Sequence, residues 1–225
     1  MRVPEQKYRP FPPIALPDRT WPNRTLDRPP IWCSVDLRDG NQALAEPMDV
    51  TRKARMYRAL LALGFTQLEV GYPSASRVEF DFIRNLIEAD RIPEGVAIQV
   101  LTPARSELIE RTFQSIEGAK RVIVHLYNST SEVQRRIVFG MSRSAILELA
   151  VKGAVQVASL AESMRAKGSQ VILEYTPESF TGTELEFAVE ICRAVLDRWD
   201  ASPEQPVILN LPATVEMATP NVYAD

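Results

Sequence analysis

From residue 31 onward, short runs of β-branched and other apolar residues alternate with longer amphipathic stretches, a pattern that predicts repeated βα units on a parallel sheet. Six strands can be read, at 31–37 (IWCSVDL), 66–70 (TQLEV), 97–101 (AIQVL), 121–126 (RVIVHL), 170–175 (QVILEY) and 206–211 (PVILNL). Between the first two, Met56, Leu60 and Leu63 recur at i, i+4, i+7 while Arg52, Arg55 and Arg58 turn elsewhere, and Gly64 follows as a C-terminal stop. That stretch predicts a crossover helix. Ser76 with Glu79, and Thr181 with Glu184, have the spacing of capping boxes, and Pro103 after Thr102 occupies the first position of a predicted helix. Longer helical stretches are expected over 142–167 and 183–199.

Six such steps suit either an open doubly wound sheet or most of an eight-fold barrel. The first loop favours the barrel, because it reads DGNQALAEP and lacks the G-x-G-x-x-G of a dinucleotide-binding turn. The expected fold is therefore α/β, a TIM-type (β/α)8 barrel of about six βα units, about two short of closure. Ahead of it, eight of the 17 prolines fall within the first 30 residues, which excludes a helix or central strand there. Residues 1–30 are expected to form an extended Pro-rich arm, and 31–225 an incomplete barrel domain. Tyr8, Phe11 and Trp21 give the arm aromatic anchors for packing on the body or on a partner subunit, with a loose tail as the alternative.

Composition narrows the function classes. With 45% hydrophobic and 24% charged residues over 225 positions, the chain is too balanced for disorder and long enough for one sizeable core. A net charge of -3 with interspersed signs lacks the footprint of a general nucleic-acid binder. No apolar run approaches the roughly 18 residues needed to span a bilayer, and the first residues lack a basic segment followed by an apolar one, so a cytoplasmic protein with no membrane partner is expected. Cys33 and Cys192 form no C-x-x-C and lie in apolar-periodic segments, which favours buried free thiols, and the single His excludes a His-rich metal site.

In a barrel the active site forms at the carboxyl ends of the strands, so polar residues there are the candidates. Strand one ends in Asp36-Leu37-Arg38-Asp39-Gly40-Asn41-Gln42. Alternation would put Asp36 and Arg38 on one face, while Gly40 would let Asp39 and Gln42 turn to the same mouth. Carboxylates flanking a guanidinium can hold a divalent cation and orient a substrate carboxylate or carbonyl, or can simply form a salt-bridged turn. His125 ends strand four and Tyr127 follows it; strand five ends in Glu174 with Thr176 just beyond, and Glu178 is expected in the loop before Thr181, where it would be a site carboxylate or simply solvated. After strand six, Thr214 offers a hydroxyl or a helix-start amide to an anionic ligand, or serves only as an N-cap.

The runs WCSVDLRDGNQAL (32–44), VHLYNSTS (124–131), EYTPESFTGTE (174–184) and NLPATVEMATPNVYAD (210–225) resemble the 2-isopropylmalate synthases of the class II bacterial type over nearly the whole chain. The shorter L-R-D-G-x-Q element is shared with homocitrate and citramalate synthases and with 3-hydroxy-3-methylglutaryl-CoA lyase. The resemblance implies a metal-dependent Claisen-type condensation of acetyl-CoA with 3-methyl-2-oxobutanoate in leucine biosynthesis, carried out by a homodimer. It implies further that Asp39 ligates a divalent metal such as Mg2+, that Arg38 stabilises the developing oxyanion, and that Glu178 supports acid/base chemistry. Gln42, His125, Tyr127, Thr176 and Thr214 would bind substrate. The family's His-x-His pair and a further Asn ligand have no counterpart in these residues. Two expectations follow: an N-terminal portion of such an enzyme, or a non-catalytic fragment that associates with another chain.

Overall fold

The computed structural model describes residues 11–225; Pro4, Tyr8 and Pro10 of the expected arm lie outside that range. Six parallel strands form one sheet in the order β1-β2-β3-β4-β5-β6: β1 (Cys33–Ser34), β2 (Gln67–Gly71), β3 (Ala97–Pro103), β4 (Arg121–Ser129), β5 (Gln170–Glu178) and β6 (Val207–Leu209). Each strand pairs with its predecessor in sequence, which is the singly wound order of a barrel; a doubly wound sheet would reverse partway. Helices α1 (Val50–Ala62), α2 (Arg77–Glu88), α3 (Ser106–Ser115), α4 (Arg143–Arg165) and α5 (Leu185–Trp199) make the crossovers, and α6 (Pro220–Ala224) follows β6.

Both faces of the sheet are covered or enclosed, and they differ in chemistry. On the helix side Leu68, Val70, Ile98, Val100, Val122, Val124, Leu126, Leu173 and Tyr175 merge with Leu86, Ile109, Ala154, Val157 and Ile191 into one core. Alternate positions on the inner side carry buried polar groups instead: Glu69, Gln99, His125, Glu174 and Thr176. Strands buried on both faces read as near-continuous apolar runs, so these polar residues are exceptions that need partners.

Several expected elements are shifted. Only Cys33 and Ser34 pair as β1, because the amides of Arg38, Asp39 and Gly40 all donate to Val35 O (3.2, 2.9 and 3.1 Å) and close the chain into a π-type turn over Asp36–Gly40. The alternation expected of an extended strand therefore does not apply there. Helix α1 starts on an Asp49 cap, whose side chain accepts from Arg52 N, and it buries Lys53, Tyr57 and Leu60; Leu63 of the expected stripe is exposed. Gly64, at φ 91°, ends the helix as expected. Ser76 and Ser142 cap α2 and α4. Pro103 ends β3 rather than opening a helix, and α3 begins three residues later at Ser106. Thr181 falls in a short 3-10 turn (Phe180–Gly182), where its hydroxyl donates to Val215 O. The N-cap of α5 is Glu184, whose carboxylate bridges Arg135 and Arg143.

The arm is tied to the other end of the chain. Arg19 pairs with Asp225, and Trp21 Nε1 donates to the same carboxylate at 2.9 Å. Cys192 is buried and Cys33 half-buried, both as free thiols, and burial pushes them up to about 11 and about 12. Helix α4, with 23 residues, is long and apolar enough by length and composition to cross a membrane, although no apolar run of that length was expected; its Ile146, Ala150, Ala154, Val157 and Ala161 stripe lies in the core.

Candidate active site

At the carboxyl ends of the strands a cavity of about 630 Å³ opens among Arg38, Asp39, Gln42, Tyr72, His125, Tyr127, Thr176, Glu178 and Thr214, floored by Val35 and Leu101. The eight residues to which the resemblance assigns roles line this one space; Asp36 and Glu174, the other two strand-end candidates, do not. Their elements explain the convergence. Parallel pairing sets His125 beside Glu174 and Tyr127 beside Thr176, so two adjacent strands deliver four polar side chains at their ends. The π-type turn after β1 delivers Arg38 and Asp39, and the loop after β6 delivers Thr214.

Beneath the cavity lies a connected set of buried charges. Glu69, wholly buried on β2, accepts from Arg38 Nε (2.6 Å) and faces Arg38 Nη2 at 2.5 Å through Oε2. Its Oε1 meets His125 Nδ1 at 2.6 Å and accepts from Gln99 Nε2 at 3.2 Å. His125 Nε2 lies 2.6 Å from Thr176 Oγ1, and its Nδ1 lies 3.5 Å from Glu174 Oε1. Arg38 Nη1 donates to Asp39 Oδ1 at 2.7 Å, on the exposed side. The guanidinium is thus clamped between a buried and an exposed carboxylate, which fixes its plane at the floor of the cavity.

The two buried glutamates titrate in opposite directions. Burial opposes ionisation of Glu69, but the His125 hydrogen bond and charge together with Arg38 outweigh it and hold the carboxyl below its ordinary value. Burial raises Glu174, the charge of Glu69 adds to the rise, and His125 opposes it. Burial raises the Tyr127 phenol, and a side-chain hydrogen bond to Tyr72 and the nearby Glu178 charge add to the rise, so it stays protonated at neutral pH.

Not every expected contact forms. Asp36 accepts from Ser34 Oγ (2.6 Å) and does not line the cavity, so it does not flank Arg38 as alternation had suggested. Gly40 is not left-handed; hydrogen bonding to Val35 O makes the turn. Thr214 sits in a loop before α6, whose N-cap is Thr219, and its hydroxyl accepts from Ser179 N at 3.1 Å, so it is neither a cap nor a helix-start amide. Glu69, Gln99 and Tyr72 were not singled out from the sequence. The available signal was a single charged or amide residue flanked by apolar neighbours at the centre of a doubly buried strand, as in LEV and IQV.

The HMGL-like family model matches residues 29–225. The chain belongs to the HMGL-like family. It is 58% identical over 223 residues to the 2-isopropylmalate synthase of Parafrankia sp. (strain EAN1pec), covering 99% of this chain and 39% of that protein. The 2-isopropylmalate synthase of Rhodospirillum rubrum is 60% identical over 222 residues, covering 99% and 40%. The chain thus spans about two-fifths of the length of these relatives. Among solved structures, hydroxymethylglutaryl-CoA lyase from Pseudomonas aeruginosa superposes with a TM-score of 0.52 at 20% identity, covering 74% of this chain and 53% of that one. At that identity the likeness concerns the fold, and it supports a six-strand portion of a TIM-type barrel.

Proposed function

We propose that the chain carries the substrate-facing rim of a 2-isopropylmalate synthase, an acyltransferase joining acetyl-CoA to 3-methyl-2-oxobutanoate in leucine biosynthesis. The observation that carries this reading is the convergence of eight polar residues, from the ends of β4, β5 and the loops after β1 and β6, on one cavity over a clamped guanidinium. In the condensation the methyl carbon of the thioester loses a proton and attacks the keto carbon. A carbon–carbon bond forms, the keto oxygen takes up the electron pair and is then protonated, and water cleaves the C–S bond to release CoA.

Each residue has a chemically fitting part in that sequence. Arg38, pre-oriented by Glu69, supplies a fixed charge to the oxygen that becomes negative, without reorganising as the charge develops. His125, Thr176 and Thr214 present hydrogen-bonding groups for the keto acid, and the protonated Tyr127 phenol adds a donor. Gln42 lies on the same wall. Glu178 places a carboxylate where a proton can be taken or returned.

A divalent cation with Asp39 as one ligand belongs to the same proposal. Among the described residues, however, no group of three or more His, Cys, Asp or Glu side chains gathers in a way that could hold a metal ion. These residues alone do not make a cation site, and none of the roles above depends on one. A cytoplasmic homodimer completes the reading.

The test uses the complete protein, meaning residues 1–225 with any residues that follow in the reading frame. Thiol release from acetyl-CoA is followed with 3-methyl-2-oxobutanoate, pyruvate and 2-oxoglutarate in turn. The expected result is the highest kcat/KM with 3-methyl-2-oxobutanoate. Preference for pyruvate or 2-oxoglutarate would move the protein to a related condensing activity, and no thiol release would refute the proposal.

A further inference from the structure

Glu178 is the last residue of β5, and the chain around it is restrained more tightly than solvent exposure at a rim requires. Its backbone oxygen accepts from Thr130 N (3.1 Å) and from Thr130 Oγ1 (3.2 Å). The next residue, Ser179, is held left-handed at φ 60° and ψ 42°, a conformation that costs a non-glycine residue free energy and persists only where neighbours fix it. The neighbours are present. Ser179 O accepts from Thr183 Oγ1 and Gly182 N (3.1 and 3.0 Å), and Ser179 N donates to Thr214 Oγ1. The side chain is also engaged. Ser129, directly opposite in the β4–β5 register and nine-tenths buried, donates its hydroxyl to Glu178 Oε2. Oε1 has no hydrogen-bond partner among the described residues.

We propose that Ser129 is a positioning residue: by donating to Glu178 Oε2 it holds the carboxylate along the β4–β5 seam and leaves Oε1 for the reacting substrate. This rests on the reading that Glu178 takes part in the condensation. Thr130 holds the Glu178 backbone carbonyl and Ser129 holds its carboxylate, so the side chain is restrained at both ends. A carboxylate free to rotate would spend part of its time out of reach of the proton it transfers, and turnover would fall while substrate binding persisted.

The experiment is a double-mutant cycle in the complete protein, following thiol release from acetyl-CoA with 3-methyl-2-oxobutanoate. Ser129→Ala should lower kcat about tenfold with the keto-acid KM within about twofold, and in a Glu178→Gln background the same change should cost less than about twofold. Ser129→Thr, which keeps the hydroxyl, should retain kcat within about threefold of wild type. A purely structural serine would give the same loss in both backgrounds, and that result would overturn the proposal. So would a Ser129→Ala enzyme turning over like wild type, or a Ser129→Thr enzyme as slow as the alanine variant. The parent reading fails separately: a fully active Glu178→Gln enzyme removes Glu178 from the reaction and this proposal with it, whereas a slow Glu178→Gln beside a fast Ser129→Ala refutes the positioning role alone.

Discussion

Arg38 draws its fixed orientation from Glu69, which binds it through Nε and Nη2, and from Asp39, which takes Nη1. A lysine offers one point charge and cannot span both carboxylates. In the complete protein Arg38→Lys is expected to lower kcat about a hundredfold, the scale of losing one preorganised oxyanion donor, with little change in melting temperature. An unchanged kcat would take Arg38 out of the reaction. Glu69 has the opposite profile, because its removal leaves a mostly buried guanidinium with only the exposed Asp39 as a charged partner. Glu69→Gln should cost about 3 kcal/mol of stability at neutral pH. The sign of the pH dependence follows from the direction of each shift. Glu69 is held below the ordinary glutamate value, so its contribution is present above about pH 4.3 and is lost as pH falls through the lower folded value. Glu174 is raised, so its contribution is full below about pH 4.3 and is lost as pH rises through the raised value. Melting curves across pH should therefore show Glu174→Gln flattening the decline as pH rises from about 4.3 and Glu69→Gln flattening the decline as pH falls from about 4.3. The same change in slope from both variants would contradict the assignment of opposite shifts.

At the scale of elements, α1, β2 and α2 are joined by an ion pair in an apolar setting. Lys53, wholly buried over the Phe82 ring, donates to Glu79 Oε1 at 2.6 Å, while Glu79 Oε2 accepts from Tyr72 N at 3.0 Å. A Cβ on Gly71 would collide with Glu79 Oε2. Gly71→Ala should thus displace the carboxylate that fixes Tyr72 at the cavity wall and destabilise the protein by about 2 kcal/mol in denaturant unfolding. A loss below about 0.5 kcal/mol, the range of a neutral surface change, would show that the pair relaxes freely. The elements themselves were largely legible: all six strands are centred within the runs that predicted them, because such runs have few alternative uses in a βα repeat. Strand β1 was overextended for a local reason, since three amides converging on Val35 O take Asp36–Gly40 out of the ladder, and no residue in LRDG announces a π-type turn. The Thr181 box failed because Thr181 found Val215 O instead, a contact some thirty residues away that spacing cannot reveal. The rim residues were legible from their position at strand ends. The buried supports Glu69 and Gln99 were not, because a polar residue inside a strand reads equally as the wet face of a sheet.

For the whole molecule, the decisive feature is that the six-stranded sheet is open: β1 and β6 are its two edges, with no pairing between them. Exposed Ile31 and Trp32 flank one edge, and Leu209 and Leu211 lie at the other. The cavity takes its wall from the ends of β2 to β5 and from the segments after β1 and β6, and its Asp39 is an exposed carboxylate that belongs to no metal-holding group among the described residues. The central claim is the proposed one, that these residues form one wall of a condensing site and do not complete it by themselves. Its most direct test is thiol release from acetyl-CoA with 3-methyl-2-oxobutanoate and magnesium, measured for residues 1–225 alone beside the full-length Rhodospirillum rubrum relative. The account predicts keto-acid-dependent release by the relative and less than about a tenth of that rate from residues 1–225, since the open six-stranded sheet walls only part of the site and leaves both edges unpaired. Keto-acid-dependent turnover by residues 1–225 within about tenfold of the relative would contradict it, because the site would then assemble from these residues alone.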